Sequence, residues 1–190
     1  GYVFQSTTNN GTAWKTTDGG ANWTAISTGT NDSRIYSSCF INANTGYVGN
    51  YSPKLMRTND GGANWTVLAA TPMGSGYIYG IKFFGPDSGY ACGSSAARLC
   101  RTVNGGTTFD TVPQPFAASL YTMNFSDFQN GWIFGSNGFA GRTSTGGASW
   151  VLYNTAGSTP YGCYMTNTDS GFVVGTSAYV HKISKAPVSG

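Results

Sequence analysis

"TTDGGANW" fills residues 16–23, and "TNDGGANW" returns at 58–65, 42 positions later. Looser copies follow as "TVNGGTTF" at 102–109 and "TSTGGASW" at 143–150. The closing aromatics Trp23, Trp65, Phe109 and Trp150 are thus spaced 42, 44 and 41 residues apart. A period of this length marks a chain built from one repeated supersecondary unit, each too small to bury its apolar faces alone.

The flanks repeat as well. One residue before each copy stands a cation, in "WKT", "MRT", "CRT" and "GRT", and again in "HKI": Lys15, Arg57, Arg101, Arg142 and Lys182 share a slot. Further upstream lie "GYVFQ" at 1, "GYVG" at 46, "GYACG" at 89, "GWIFG" at 131 and "GFVVG" at 171. Before those come "IYSSCF" at 35, "IYGIKF" at 78, "LYTMNF" at 120 and "PYGCYM" at 160, with Tyr36, Tyr79, Tyr121 and Tyr161 in register. These segments are short, rich in aromatic and β-branched residues, and bounded by Gly, Asn and Asp; they read as strands joined by turns. The glycine before each aromatic is expected at a turn position with positive φ. Within the eight-residue motif, the Thr and Asp side chains are expected to hydrogen-bond a tight turn, the two glycines to take positive φ, and the aromatic to anchor the returning strand in the core.

Four short strands per unit of about 42 residues, with no helix-period segment between them, predict an all-β β-propeller of four-stranded antiparallel blades. About four and a half blades are present, as a five-bladed ring or part of a larger one. The approximate units are 1–33, 34–76, 77–118, 119–158 and 159–183, with 184–190 as a C-terminal linker. The chain opens on Gly1, shows no signal peptide, and reads as a processed or excised piece of a longer polypeptide.

Composition narrows the class. Only 9% of residues are charged and none is glutamate, while 15% are aromatic, so the chain has apolar surface to bury and relies on Asn, Ser, Thr and Gly for solubility. That balance suits a secreted or cell-surface protein. A net charge of +3 with no Lys/Arg run gives no nucleic-acid footprint, and no apolar stretch is long enough to span a membrane as a helix. No His or Cys spacing matches a metal site, and no cofactor is expected. Cys92 and Cys100 flank a hairpin loop, which predicts a cross-strand disulfide; Cys39 and Cys163 read as small buried hydrophobes.

The pattern Ser/Thr-x-Asp-x-Gly-x-x-Trp/Phe resembles the Asp-box, or bacterial neuraminidase repeat. It is carried here by Thr16, Asp18, Gly20 and Trp23, and by Thr58, Asp60, Gly62 and Trp65. Asn104 replaces the Asp in the copy with Thr102, Gly106 and Phe109, and Thr145 replaces it in the copy with Thr143, Gly147 and Trp150. Together with the "GY…G" strand, the units are similar to those of photosystem II assembly and stability factor-like propellers of secreted bacterial type. The resemblance implies export, in long Bacteroidota proteins with a C-terminal sorting domain (type IX secretion cargo). It implies no single activity, because sialidases, xyloglucan hydrolases, sortilin-like receptors and assembly factors all share the box.

A sialidase needs a Tyr nucleophile paired with Glu, and the chain has no Glu. A two-aspartate glycoside hydrolase is the alternative enzyme, but Asp18, Asp60, Asp87, Asp127 and Asp169 all fall in turns, leaving Asp32 and Asp110. The basic slot is read as capping turn carbonyls and pairing with a nearby Asp. The lone His181 is read as a packed strand residue. Recognition is expected in the variable loops on the face opposite the repeated motif, at Tyr51, Lys54, Tyr77, Arg98, Phe116, Phe139 and Tyr179. The reading is a non-catalytic binding or scaffold module for a protein or glycan partner, with a hydrolase or a glycan-binding lectin as alternatives.

Overall fold

A computed structural model describes residues 1–5, 11–29, 34–51, 54–69, 71–74, 76–94, 98–114, 117–155 and 158–184. Phe116, Asp32 and the tail 185–190 lie outside these. Strands carry the regular structure, and the helical content among the described residues is one 3₁₀ turn at Ser136–Gly138. Contacts divide the chain into two compact units, Gly1–Thr111 and Val112–Gly190.

The first unit holds three sheets, each an antiparallel meander in chain order. Sheet one is β1 (Tyr2–Phe4), β2 (Thr12–Lys15) and β3 (Thr24–Ser27). Sheet two is β4 (Ile35–Phe40), β5 (Gly46–Asn50), β6 (Leu55–Thr58) and β7 (Thr66–Val67). Sheet three is β8 (Ile78–Phe83), β9 (Gly89–Gly93), β10 (Leu99–Thr102) and β11 (Asp110–Thr111). Strand alternation gives the middle sheet two buried faces. Tyr47 and Leu55 pack with Ile81, Phe83, Ala91 and Cys100 of sheet three, whereas Val48 and Met56 meet Phe4 of sheet one. Tyr47 stacks flat on Phe83 at 3.6 Å, as Tyr2 does on Phe40 at 3.8 Å, so one sheet-to-sheet contact occurs twice.

The second unit holds sheet four, β12 (Leu120–Phe125), β13 (Gly131–Gly135), β14 (Phe139–Thr143) and β15 (Val151–Asn154). Sheet five is β16 (Pro160–Met165), β17 (Ser170–Gly175) and β18 (Tyr179–Ser184). Trp132, Phe134 and Ala140 of the former pack against Val173 and Ile183 of the latter. Three four-stranded and two three-stranded meanders make about four and a half propeller blades.

Two expectations about strands fail for physical reasons. The glycines opening β5, β9 and β13 do not take positive φ. They are small because the cross-strand partner's ring lies on them: a Cβ on Gly46, Gly89 or Gly131 would overlap Phe40, Phe83 or Phe125. The Cys92–Cys100 disulfide is absent, all four cysteines being free. Cys92 pairs with Leu99 and Cys100 with Ala91, so the two thiols occupy neighbouring rungs and point to opposite faces of the sheet.

Each edge strand β4, β8, β12 and β16 carries the same irregularity. The register skips one residue, and that residue is Tyr36, Tyr79, Tyr121 and Tyr161 in turn. A β-bulge therefore re-aims one tyrosine in each of sheets two to five.

Candidate functional site

The repeated motif closes the turn between the third and fourth strands. The Thr58 hydroxyl accepts the Gly62 N–H at 2.8 Å and donates to Asp60 Oδ1 at 2.8 Å. Asp60 in turn accepts the Asn64 backbone N–H at 2.9 Å and its amide at 2.8 Å. Thr16, Asp18, Gly20 and Asn22 reproduce the set. Where Asp is replaced, the geometry survives. Asn104 Oδ1 accepts the Thr108 N–H at 3.0 Å, and the Thr145 hydroxyl accepts the Ser149 N–H at 2.9 Å, while Thr102 and Thr143 still hold the Gly106 and Gly147 amides. Both glycines of every copy take positive φ.

These bonds hold the Asp18 carboxyl well below its ordinary range and bring Asp60 to about 2, chiefly through the Asn22 and Asn64 N–H donors. Asp127 is lowered likewise by the Gln129 N–H and the Asn130 amide. Carboxylates so held are poor general acids. The closing aromatics anchor the core in some copies and not in others: Trp65 packs against the Ile35, Val48 and Met56 cluster and Phe109 against that of sheets two and three. Trp23 is 44% exposed, and Trp65, Phe109 and Trp150 are half-buried. Trp23 and Trp65 donate Nε1–H to the Gly20 and Gly62 carbonyls; Trp150 donates to the Pro113 carbonyl, beside an open cleft of about 340 Å³ lined by Gln114 and Ser149.

Two residues of the basic slot, Lys15 and Arg142, tie one repeat to the next. Lys15 Nζ donates to Gly61 O at 2.9 Å. Arg142 donates to Thr168 O at 3.2 Å and pairs with Asp169 at 2.5 Å, and Arg57 bonds Asn59 at 2.8 Å while lying over the Tyr47 ring. Arg101 lies half-buried in β10, and Lys182 is exposed on β18. The aromatic after the strand glycine helps: Tyr47 donates to Pro86 O at 3.1 Å, and Trp132 to Thr168 O at 2.9 Å.

The motif turns sit beside the hairpins joining first and second strands, as Gly61 N–H to Asn44 O shows at 2.8 Å. At the other hairpin end of the first unit an aromatic cluster forms. Tyr51, after β5, and Tyr77, before β8, come together at 4.4 Å between ring centroids. Tyr36 lies 6.1 Å from Tyr77 and 5.3 Å from Tyr79, and Tyr77 lies 5.8 Å from Tyr79. Arg34 sits over the Tyr51 ring at 5.3 Å. A hydrogen bond with the Tyr51 hydroxyl raises the Tyr77 pKa, and one with Tyr36 raises that of Arg34. Tyr51 is 42% exposed, so the cluster opens to solvent. Four rings, their hydroxyls and one guanidinium therefore share a patch.

Sequence reasoning named Tyr51 and Tyr77 and missed Arg34, Tyr36 and Tyr79. The Tyr slot was visible, but the bulge that turns it outward was not. Lys54 and Arg98 lie where the second strands of sheets two and three lead into the third; Phe139 opens β14 and Tyr179 opens β18, stacked on His181 at 5.6 Å. Cys39 and Cys163 are half-buried and pack against the core clusters of sheets two and three and of sheets four and five, respectively. Among the described residues no three His, Cys or Asp side chains gather as a metal site, and no helix is long and apolar enough to cross a membrane.

No protein-family model matches this sequence, and a search of curated proteins finds no match. Solved structures do resemble it. YCF48 from Cyanidioschyzon merolae is 18% identical, with a TM-score of 0.71 over 93% of this chain and 64% of that one. Virginiamycin B lyase from Staphylococcus aureus is 16% identical, with a TM-score of 0.73 over 99% and 68%. A Niastella koreensis GH74 enzyme is 17% identical, with a TM-score of 0.65 over 85% and 29%. The chain thus spans less than two thirds of the YCF48 and GH74 structures. At such identities the likeness establishes the propeller fold.

Proposed function

We propose that this chain is a non-catalytic recognition module, part of a β-propeller that holds a protein partner on the Arg34–Tyr36–Tyr51–Tyr77–Tyr79 patch. The observation that carries the reading is the patch itself: tyrosine and arginine dominate binding hot spots because they offer rigid apolar area with a polar tip. The aspartates favour the same reading, since Asp18, Asp60 and Asp127 are spent on turn hydrogen bonds. A glutamate-free, weakly charged surface suits a secreted or cell-surface bacterial protein, and the resemblance to photosystem II assembly factor-like repeats agrees with an assembly or scaffold role.

Selection of a displayed random-peptide library, beside a glycan array and a reducing-end assay on oligosaccharides, tests this. The expected result is a set of peptides whose affinity falls at least about tenfold with Tyr77→Ala or Arg34→Ala. Binding confined to glycans assigns the patch to a lectin. Release of reducing ends makes the chain a hydrolase and overturns the reading.

A further inference from the structure

The tyrosine cluster has a second chemical property, which follows from how its rings meet one another. Tyr51 and Tyr77 lie 4.4 Å apart between centroids with their planes 31° apart, and their hydroxyls share a hydrogen bond. The carbons ortho to those hydroxyls are thereby neighbours. A bond between two ortho carbons holds ring centres at nearly this separation, so forming one asks the rings to pivot and not to approach. Tyr36–Tyr79 and Tyr121–Tyr161 are arranged differently. They lie 5.3 and 5.2 Å apart with their planes at 69° and 76°, which aims a ring edge at a ring face.

The pair is both reachable and held in place. Tyr51 is exposed, so an oxidant in solvent meets the pair through it. The backbone behind each ring is fixed by hydrogen bonds: Tyr51 N–H donates to Arg34 O at 3.0 Å, Tyr77 O accepts Ser94 N–H at 3.1 Å, and Tyr77 N–H donates to Ser94 Oγ at 3.2 Å. Tyr51 follows β5 of sheet two and Tyr77 precedes β8 of sheet three, so the two rings are brought together by the packing of neighbouring repeats and not by closeness in the chain.

We propose that Tyr51 and Tyr77 are a site of oxidative cross-linking, joined ring to ring as dityrosine by a one-electron oxidant such as a haem peroxidase turning over hydrogen peroxide. Each phenol gives up one electron and one proton, and the two phenoxyl radicals couple through their ortho carbons to form one C–C bond. The hydrogen on each coupled carbon then leaves as a proton while each ring oxygen regains one, which restores both phenols. In sum, two hydrogen atoms pass from the protein to one hydrogen peroxide, which leaves as two waters. The link fastens sheet two to sheet three and closes a loop in the chain, so it restricts the unfolded ensemble and stabilises the fold. This chemistry does not depend on which partner the patch binds.

The test treats the 190-residue protein, dilute and at neutral pH, with a haem peroxidase and hydrogen peroxide, and reads dityrosine fluorescence together with the fragment masses of its peptides. The expected product is monomeric and two hydrogen atoms lighter than the starting chain, with Tyr51 and Tyr77 in one cross-linked peptide. Tyr51→Phe and Tyr77→Phe keep the rings and are each expected to lose the product. Tyr164→Phe is expected to keep it, although Tyr164 is 69% exposed. Reactivity that followed exposure alone would instead join molecules through Tyr161 and Tyr164, and that outcome overturns the proposal. A link that survives in Tyr51→Phe does the same, as does oxidation confined to Met or Cys with no loss of hydrogen.

Discussion

Thr58 shows how much one hydroxyl does in this protein. It is 1% exposed, and its Oγ1 answers the buried Gly62 N–H. Thr58→Ala leaves that donor without a partner and is expected to cost about 1–3 kcal/mol in a denaturant titration, whereas Thr58→Ser retains the bond and most of the stability. Asp60 is a different matter, because Asn104 and Thr145 do its work in other repeats. Its acid limb still has a sign. The folded pKa, about 2, lies below the ordinary 3.8, so the stabilisation from its charge is complete above the ordinary value and is lost as pH falls through the folded one. Trp23 and Trp65 bond carbonyls inside the affected turns. Their fluorescence is expected to hold from neutrality to about pH 4 and to change below it; a transition centred near pH 6 contradicts this account.

At the scale of the element, the strand order and most boundaries were legible, and the pairing chemistry was less so. Period-2 patterns and Gly/Asn/Asp punctuation place "IYGIKF" and "GYACG" on adjacent strands, but a sequence does not say that the second glycine exists to seat the first strand's phenylalanine. Gly131→Ala tests the difference. A positive-φ glycine loses stability through backbone strain, while one beneath a ring loses it by displacing the ring. The expected cost is about 1–3 kcal/mol, and pairing the change with Phe125→Leu is expected to recover part of it. Strict additivity of the two substitutions removes the ring from the explanation. The disulfide failed for a related reason, since spacing brings Cys92 and Cys100 to one hairpin but register decides which face each thiol takes. The tyrosine patch was half legible on the same grounds: Tyr51 and Tyr77 stand in loops, while Tyr36 and Tyr79 sit in strands and reach the patch only through a bulge.

For the whole molecule, a repeat array derives its stability from contacts between neighbouring sheets, so protection follows coverage. Strands β5, β9 and β13 are buried at every residue. Their counterpart β17 buries Val173 on one face but leaves Phe172 and Val174 each 46% exposed on the other, beside Tyr164 and Val180 on the flanking strands. Periodicity predicted five equivalent copies because it reads residue type, whereas burial depends on what lies against each face. Native-state hydrogen exchange is expected to rank the amides accordingly, slowest in β5, β9 and β13, faster in β17, and fastest in β1 and β18 at sheet edges. If β17 exchanges as slowly as β13 in the isolated protein, another surface covers Phe172 and Val174 in solution. Repeating the measurement across protein concentrations then separates the cases, because a cover supplied by a second molecule loosens on dilution and one supplied by the same chain does not.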